Sequence, residues 1–525
     1  MIKGTNPILK TDCPDPDVIR VGDTYYMVTT TMHFMPGCEI LRSYDLINWE
    51  HLTYVYDYLD GTEAQKLTGD KHIFGKGMWA ATIRYHEGMF YIVFVANDTG
   101  KTYLYRAENI EGPWKKSIIE GFYHDCSLLF DGGKAYLVYG NTDVYLTELN
   151  EDLTGVKEGG LHRLLVSDKG NPNLGYEGSH LYKIEGRYYL FLIHSLRDRW
   201  MRTEACFSAD SLEGEFTGGD VLEDDMGLAG RGAAQGGIVD DPEGNWNAIL
   251  FQDCGAVGRI PVVVPVTWEN GLPVFGTDGK VPAELELPST RPEHEYAPLF
   301  GSDDFKDNFF EEYKASGVYD DPDKKRLFGC FGLKSFWQFS HEPDLSLIKA
   351  DKNEGILYVT TDKISTNVHQ ARNVLTQRMV MPGCTGEVTI HAENLKEGDF
   401  AGLTVYQGNY IWIGVTRREG RLYAVTTTFT STENIWITSA DPGEERCIMP
   451  LTDSEVRLRL SASFGPDGDE AVCGILTEEG WKEFGPKHKL AFRLDHFTGA
   501  RFGLFVYSTK ESGGTAGFSD FTYEA

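Results

Sequence analysis

The chain has 525 residues, of which 79 are acidic and 49 basic, so its formal net charge at pH 7 is −30. This length predicts two or three domains, and an aromatic content of 13% excludes a disordered chain. The negative charge argues against nucleic acids and anionic membranes as partners, because basic side chains bind both.

Two further features of the sequence predict a cytoplasmic protein. The first residues contain no apolar stretch of signal-peptide length, and no run of about 18 apolar residues could span a membrane. The nine cysteines are scattered and form no CxxC pair. Reduced thiols in a cytoplasmic protein are the simplest interpretation.

Five segments with a common design follow one another along the first part of the chain. Each places a turn before a strand rich in aromatic and β-branched residues, and the segments begin at Gly22, Gly88, Gly133, Gly186 and Gly244. Short alternating segments predict strands, and the spacing of roughly 45–65 residues is typical of propeller blades. We therefore predict an all-β protein with a five-bladed β-propeller over residues 1–295. A β-sandwich with similar hairpins is the alternative.

The pattern changes near residue 295. Residues 284–298 are polar and contain three prolines, which predicts a linker. Beyond residue 303 the alternation continues without the repeat, as in the strands that follow Gly355 and Tyr410. Residues 303–525 are therefore predicted to form a β-sandwich domain that packs on the propeller.

One position stands about a dozen residues before the aligned aromatic residue of each repeat, and it is occupied by Asp15, Trp79, Asp125, Glu177 and Gln235. The first strand of each blade lines the channel, so we expect these side chains to meet near the axis. Three of them are carboxylates, which are costly to gather unless solvated, paired or used. Two carboxyl groups across a sugar-sized gap can hydrolyse a glycosidic bond, and a third raises the pKa of the acid. Ordinary turn aspartates are the alternative.

Motifs around these positions are Pro14-Asp15-Pro16-Asp17, Trp79-Ala80-Ala81, His124-Asp125, Glu177-Gly178 and Gly258-Arg259-Ile260-Pro261. Together they resemble the signature segments of glycoside hydrolase family 43 over nearly the whole first domain. Asp17 and Ala81 depart from the family's usual Ser and Pro. The resemblance implies that Asp15 is the general base, that Asp125 modulates the acid's pKa and that Glu177 is the general acid.

The same resemblance implies four substrate-binding positions, which are Phe34, Trp79, Arg259 and Gln235. Aromatic rings stack on the C–H faces of sugars, and an arginine fork fixes ring hydroxyls. Many family members carry, in place of Gln235, a His tied to a central calcium or an ordered water. An amide binds such an ion weakly, so we expect no metal ligands in the channel and no required cofactor. Acidic residues 320–323 and 467–470 could hold a structural Ca²⁺, although acidic turns are commonplace.

In the second domain, residues 337–344 and 372–378 resemble the concanavalin-like C-terminal sandwich of the family's xylosidase and arabinofuranosidase branch. There the sandwich narrows the site to a pocket, which implies action on terminal residues. The predicted function is an exo-acting, inverting glycosidase that releases terminal α-L-arabinofuranose or β-D-xylose, with a slight preference for arabinofuranose. Its partners would be pentose-containing oligosaccharides of the arabinoxylan type. A main β-D-xylosidase activity, a non-hydrolytic carbohydrate-binding propeller and a homo-oligomer stay open.

Overall fold

The computed structural model describes residues 1–228, 230–319, 329–431, 439–466 and 468–525. These residues form an all-β protein in which the helical segments are short: the α-helix Phe310–Ser316 and the 3-10 helices Gly255–Val257, Leu345–Leu347 and Val368–Gln370. None of the helices in these ranges has the length and apolar character that a membrane span requires.

The first part of the chain folds into five antiparallel sheets of four strands, which are the blades of a β-propeller. From the innermost strand outward, blade 1 contains Asp17–Val21, Thr24–Thr29, Gly37–Ser43 and Glu50–Tyr56; blade 2 Met78–His86, Met89–Ala96, Lys101–Ala107 and Lys115–Ile119; blade 3 Ser127–Asp131, Lys134–Asn141, Asp143–Glu148 and His162–Ser167; blade 4 Glu177–Ile184, Arg187–Ser195, Arg202–Ala209 and Thr217–Leu222; and blade 5 Ala234–Asp240, Trp246–Asp253, Arg259–Glu269 and Leu272–Phe275. The predicted repeat is the second strand of each blade. The five-bladed propeller is thereby confirmed.

The turn before the second strand explains why the repeat is visible in the sequence. In blades 2 and 4 both turn residues have a left-handed backbone, with φ angles of 49° and 82° at Glu87-Gly88 and of 49° and 88° at Glu185-Gly186. A two-residue hairpin turn of this kind matches the twist of its strands and favours glycine. The glycine therefore recurs once in each blade.

Apolar residues of neighbouring blades pack against each other in five separate clusters around the ring. Each cluster contains buried side chains from two neighbouring blades, namely Ile40 and Ile83, Leu104 and Leu128, Val138 and Leu181, Phe191 and Leu250, and Val239 and Met27. All ten side chains are at most 4% exposed. Because the blades are hydrophobic on both faces, the ring stays together through this packing, and the blade ends are left to loops.

The N-terminal strand Ile2–Thr5 pairs antiparallel with Glu284–Leu287 in a two-stranded sheet outside the five blades. The prediction of a linker over residues 284–298 is therefore wrong at its start. Leu285 and Leu287 are buried while their glutamate neighbours are exposed, as expected for a strand with one covered face.

The second half of the chain forms a β-sandwich of two sheets. One sheet contains, in spatial order, Glu444–Pro450, Arg421–Phe429, Tyr410–Arg418, Asp399–Tyr406, Arg501–Ser508, Leu375–Arg378, Gln338–Ser340 and Phe34–Met35. The other contains Ile348–Asp351, Ile356–Thr360, Thr515–Glu524, Gly383–His391, Glu455–Ser463, Glu470–Thr477 and Gly480–Glu483, with His488–Lys489 beside Glu470–Thr477. Buried side chains such as Leu403, Leu458 and Phe518 fill the space between the sheets.

The two domains share a sheet and a buried ion pair. The strand Phe34–Met35 belongs by sequence to blade 1, yet it pairs with Phe339 and Ser340 and forms the edge of a sandwich sheet. Nearby, Arg378 Nη2 lies 2.6 Å from Glu39 Oε2, and both side chains are at most 4% exposed. Because this buried pair joins a blade to the sandwich, it orients the two domains.

Candidate active site

A pocket of about 400 Å³ lies where the inner strands of the blades begin. Six residues that the sequence predicted for the site line it: Asp15, Trp79, Asp125, Glu177, Gln235 and Arg259. Five residues to which the sequence analysis gave no role complete it: Met32, Ala80, His124, Arg202 and Phe497. The structure therefore brings the three carboxylates of blades 1, 3 and 4 together.

The same backbone conformation occurs where three inner strands begin. Asp15, Asp125 and Gln235 have φ angles of 53°, 46° and 59°, which is the left-handed region that side chains other than glycine rarely adopt. Blade 4 differs, because Gly178 takes this conformation with φ 63° and Glu177 comes one residue earlier. A Cβ on Gly178 would lie 2.7 Å from the Gln235 side chain. Strained positions of this kind are typical of functional sites.

Asp15 is held by an arginine from blade 5. Arg259 Nη1 donates to Asp15 Oδ1 at 2.8 Å, and both side chains are less than 10% exposed. Asp12 accepts from the backbone N–H of Arg259 at 2.7 Å and from that of Gly499 at 2.8 Å. One carboxylate thus positions both the arginine and the sandwich loop that carries Phe497, and the Asp15 carboxylate is fixed in turn.

His124 lies between the two other carboxylates of the pocket. Its Nε2 is 3.4 Å from Glu177 Oε2 and 3.6 Å from Asp125 Oδ2. Burial lowers the pKa of His124, but the Asp125 and Glu177 carboxylates outweigh burial and raise this pKa to about 9. Burial and the charges of Glu177 and Asp15 raise the pKa of Asp125 to about 7, against the opposing charge of His124. The cluster therefore retains protons near neutral pH, where an isolated carboxyl group is ionised.

Glu177 has a second polar contact, which comes from blade 3. Asn141 Nδ2 donates to Glu177 Oε2 at 2.6 Å, and the Gly178 N–H donates to Asp125 Oδ2 at 3.2 Å. Asn141 ends the second strand of blade 3, so its place beside Glu177 depends on the packing of two blades. Its position in the sequence carried no signal for this role.

Two aromatic rings of the pocket lining, those of Trp79 and Phe497, are in contact with each other. Trp79 lies 5.7 Å from the His124 ring and 5.7 Å from the Phe497 ring, measured between centroids. Its Nε1 atom is buried without a hydrogen-bond partner among the described residues. Phe497 comes from the sandwich, outside the five-fold repeat, so repeat analysis could not identify it.

Phe34 does not reach the pocket, and its predicted role in the sugar subsite is wrong. The ring is fully buried among sandwich residues, and Arg501 Cζ lies 3.6 Å from its centroid. Phe34 belongs to the short strand that pairs with Ser340, and this pairing turns the side chain into the domain interface. In this chain, Phe34 therefore packs between the two domains and does not contact the sugar.

The channel axis below the pocket is occupied by a guanidinium group. Arg84 of blade 2 contacts Asp17 of blade 1 at 2.7 Å, Ser127 of blade 3 at 2.9 Å and the Tyr182 ring of blade 4 at 5.1 Å. A calcium ion on this axis would meet the positive charge of Arg84, while Gln235 offers only an amide. These residues do not fit a resident channel metal.

Two other groups of residues contain possible metal ligands. His124, Asp125 and Glu177 place possible ligand atoms within 4.8 Å of one another, but an ion there would compete with the protons that this cluster retains. Of the two acidic segments, residues 320–323 and Asp467 lie outside the described residues. Asp469 accepts from the backbone N–H of Ala256 at 2.6 Å, which connects the sandwich with blade 5.

Chelation is expected to leave catalysis unchanged. Because the Arg84 guanidinium takes the axial position of a cation, kcat after treatment with EDTA and gel filtration should equal that of the untreated enzyme. The measurement is the initial rate before and after treatment, with Ca²⁺ added back to a third sample. A loss of activity that Ca²⁺ restores would contradict this assignment.

Replacing Asp125 by Asn is expected to stabilise the fold increasingly between pH 4 and pH 7. The pKa of Asp125 is raised from 3.8 to about 7 in the folded protein, so over this range the unfolded chain loses a proton that the folded chain keeps. Wild-type stability therefore falls with rising pH, and the Asn variant lacks this penalty. The measurement is the Tm difference between variant and wild type across this pH range.

Asp131, at the end of the strand that follows Asp125, provides a control because its pKa shifts in the opposite direction. Burial raises its pKa, but contacts with Lys183 and Tyr188 outweigh this effect and lower it. The loss of stability in Asp131→Asn relative to wild type should therefore develop below about pH 4 and stay nearly constant between pH 4 and pH 7. If the two variants showed the same trend, the pKa shift of Asp125 would be refuted.

Comparison with known proteins agrees with the geometry of the site. Residues 4–273 match the model of glycosyl hydrolases family 43, and residues 330–524 match that of the β-xylosidase C-terminal concanavalin A-like domain. A β-xylosidase of Formosa agariphila is 26% identical over 575 residues, which cover 99% of this chain and 90% of the relative. A non-reducing end α-L-arabinofuranosidase of Bacteroides ovatus is 26% identical over 440 residues, which cover 80% of this chain and 77% of the relative.

A solved structure extends the similarity to the whole chain. The bifunctional GH43-CE protein of Bacteroides eggerthii superposes with a TM-score of 0.87 and 40% sequence identity. The match covers 99% of this chain but only 63% of that protein. Since the first family model alone spans more than half of the residues, the chain is a glycoside hydrolase and belongs to glycosyl hydrolase family 43.

Proposed function

We propose that this enzyme releases terminal α-L-arabinofuranose or β-D-xylose from pentose-containing oligosaccharides, with inversion at the anomeric carbon. The observation that carries the proposal is the contrast between two carboxyl groups in one pocket. Asp15 is paired with the Arg259 guanidinium, whereas Glu177 accepts a hydrogen bond from the neutral amide of Asn141 and lies beside His124. Carboxyl groups in environments this different take opposite roles in acid–base catalysis.

In the proposed mechanism Asp15 removes a proton from a water molecule, and the water oxygen attacks the anomeric carbon from one face of the sugar. Glu177 donates a proton to the glycosidic oxygen on the other face as the bond to the leaving group breaks. Asp125 and His124 keep the charge around Glu177 balanced through both steps. Inversion requires the two catalytic carboxyl groups to be about 6.5–9.5 Å apart, so that the water fits between them.

The pocket shape supports action on terminal sugars. Phe497 closes one side of the pocket from the sandwich, and its ring lies 5.7 Å from the Trp79 ring, measured between centroids. A pocket closed in this way encloses the end of a chain, whereas an open groove would accept its middle. We propose that Trp79, Arg259 and Gln235 bind the terminal pentose, the first by stacking and the others through hydrogen bonds.

We propose arabinofuranosides as the preferred substrates, because the sequence slightly favours them over xylosides. The relatives are named for both activities, so a main β-D-xylosidase activity is the second candidate. Initial rates on p-nitrophenyl α-L-arabinofuranoside and p-nitrophenyl β-D-xyloside, measured side by side, decide between them. A larger kcat/KM on the xyloside would replace the first candidate by the second.

Stereochemistry and mode of action need a separate experiment. Proton NMR during the first minutes of hydrolysis should show β-L-arabinose from an α-L-arabinofuranoside, or α-D-xylose from a β-D-xyloside. A retained anomer would reject the inverting mechanism. With a pentose tetrasaccharide, monosaccharide should be the first product, and early release of disaccharide would reject exo-action.

A further inference from the structure

Aromatic rings and arginines alternate in a stack that starts at one wall of the pocket and leads outward. In order, the side chains are Phe497, Arg259, Phe251, Arg202 and Trp200. Arg259 Cζ lies 4.6 Å from the Phe497 ring and 5.5 Å from the Phe251 ring, and Arg202 Cζ lies 5.4 Å from Phe251 and 5.8 Å from Trp200. These distances to ring centroids are within the range of cation–π contacts. The stack therefore continues without a gap from the pocket to the surface.

The stack is held in place from inside. Phe251 is fully buried, and each arginine also binds a carboxylate, Arg259 through Asp15 at 2.8 Å and Arg202 through Asp253 at 2.7 Å. The outermost ring differs from the others because 49% of the Trp200 residue is exposed. One part of the indole rests on a fixed guanidinium, and another is open to solvent.

The exposed ring lies at the end of the propeller where Glu177 stands. The inner strand of blade 4 begins at the pocket with Glu177 and runs away from it, and the antiparallel second strand, Arg187–Ser195, returns. Residues 196–201 connect this strand to the third one, whose first residue, Arg202, lines the pocket. Trp200 thus belongs to blade 4, as does the proposed general acid Glu177. It lies on the side where the leaving group departs in the proposed mechanism.

We propose that Trp200 is a platform for the acceptor part of the substrate, meaning a pentose unit beyond the two that flank the cleaved bond. The inference rests on the proposed function. A neutral sugar ring suits this surface because its C–H face stacks on an indole without charge complementarity. An open depression of about 750 Å³ adjoins the ring, and Arg199, Glu223 and Lys280 on its walls can hydrogen-bond sugar hydroxyls.

A single exposed tryptophan is by itself an ordinary feature of protein surfaces. Two observations distinguish Trp200: the guanidinium that supports it also lines the catalytic pocket, and the stacked wall is continuous with the arginine that holds Asp15. The active site therefore extends beyond the closed pocket, along blade 4, to at least one further sugar position.

The test uses chain-length dependence. For Trp200→Ala, the ratio of kcat/KM on a pentose tetrasaccharide to that on the disaccharide should fall about tenfold, mainly through KM. Inhibition by the free pentose should keep its Ki, because that sugar fills only the closed pocket. Trp200→Phe, which retains a ring, should keep most of the wild-type ratio. Tyr85→Ala removes a ring of similar exposure, 45%, at the far end of the blade 2 inner strand and should change neither value.

The outcomes separate the platform from the proposed function. An inactive wild type on both aryl glycosides would reject the proposed function. An active wild type with an unchanged length ratio in Trp200→Ala would reject the platform alone. Equal losses on all substrates, or a changed Ki for the pentose, would show that Trp200 acts only through the pocket wall and would also reject the platform.

Binding provides a readout that does not depend on turnover. In an inactive Glu177→Gln background, calorimetry should show that adding Trp200→Ala weakens tetrasaccharide binding about tenfold and leaves pentose binding unchanged. Equal tetrasaccharide affinities with and without Trp200 would overturn the inference.

Discussion

Glu177→Gln is expected to lower kcat on natural oligosaccharides by roughly 10²–10⁴-fold, which is the usual contribution of a general acid. The amide keeps the shape of the side chain and its contact with Asn141, but it cannot donate a proton to the leaving oxygen. Initial rates on a pentose disaccharide measure the effect. KM should change much less than kcat, because the pocket around the sugar stays intact.

The leaving group provides the internal check on Glu177. The 2,4-dinitrophenolate leaving group of an activated aryl glycoside departs without protonation. Glu177→Gln should therefore retain a far larger share of wild-type activity on this substrate than on the disaccharide. Glu185→Gln, an exposed change in the turn that ends the same inner strand, is the matched control and should behave as wild type. Near-normal rates of Glu177→Gln on the disaccharide would remove Glu177 from the role of general acid.

Asp15→Asn is expected to lower kcat to a similar extent, roughly 10²–10⁴-fold, because the amide cannot remove the proton from the attacking water. Unlike the acid variant, it should be equally impaired on all leaving groups. Azide needs no deprotonation, so adding it should restore sugar release and yield a glycosyl azide of inverted configuration. Mass spectrometry and NMR of the product measure this rescue.

The Asp15 variant also tests the contact with Arg259. Removing one partner of a buried pair leaves the other charge uncompensated and destabilises a protein by about 3–5 kcal/mol. A lower Tm is therefore expected for Asp15→Asn, and rates should be compared at a temperature where the variant is folded. Asp23→Asn, which breaks an exposed pair with Arg291, should lower neither Tm nor kcat measurably. Failure of azide to restore turnover in folded Asp15→Asn would refute its role as base.

Much of the propeller could be predicted because each blade repeats the same local requirements. A left-handed turn favours glycine, and the strand after it is buried on both faces, so the pattern recurs five times in the sequence. Two of the catalytic carboxylates could be predicted from the same alignment, because Asp15 and Asp125 have the same left-handed backbone conformation just before their inner strands. The alignment was displaced by one residue at Glu177, where a bulge shifts the register of blade 4.

Contacts between distant segments could not be predicted. Nothing near Phe34 in the sequence shows that its strand pairs with residues some 300 positions later, and this pairing removes the ring from the pocket. Likewise, Phe497 and Arg202 reach the site only through the packing of the sandwich and of blades 4 and 5. Alternation defines the covered face of a strand, but the residues that cover it are determined by the tertiary structure.

The shared sheet has a consequence for the order in which the enzyme becomes competent during synthesis. A nascent chain that has emerged through blade 5 already carries all three carboxylates, but the strand Phe34–Met35 still lacks its partner and Phe497 has not been made. An unpaired strand edge is prone to join other chains. The active site is therefore incomplete, and this strand edge stays exposed to other chains, until the ribosome has synthesised most of the 250 residues that follow blade 5.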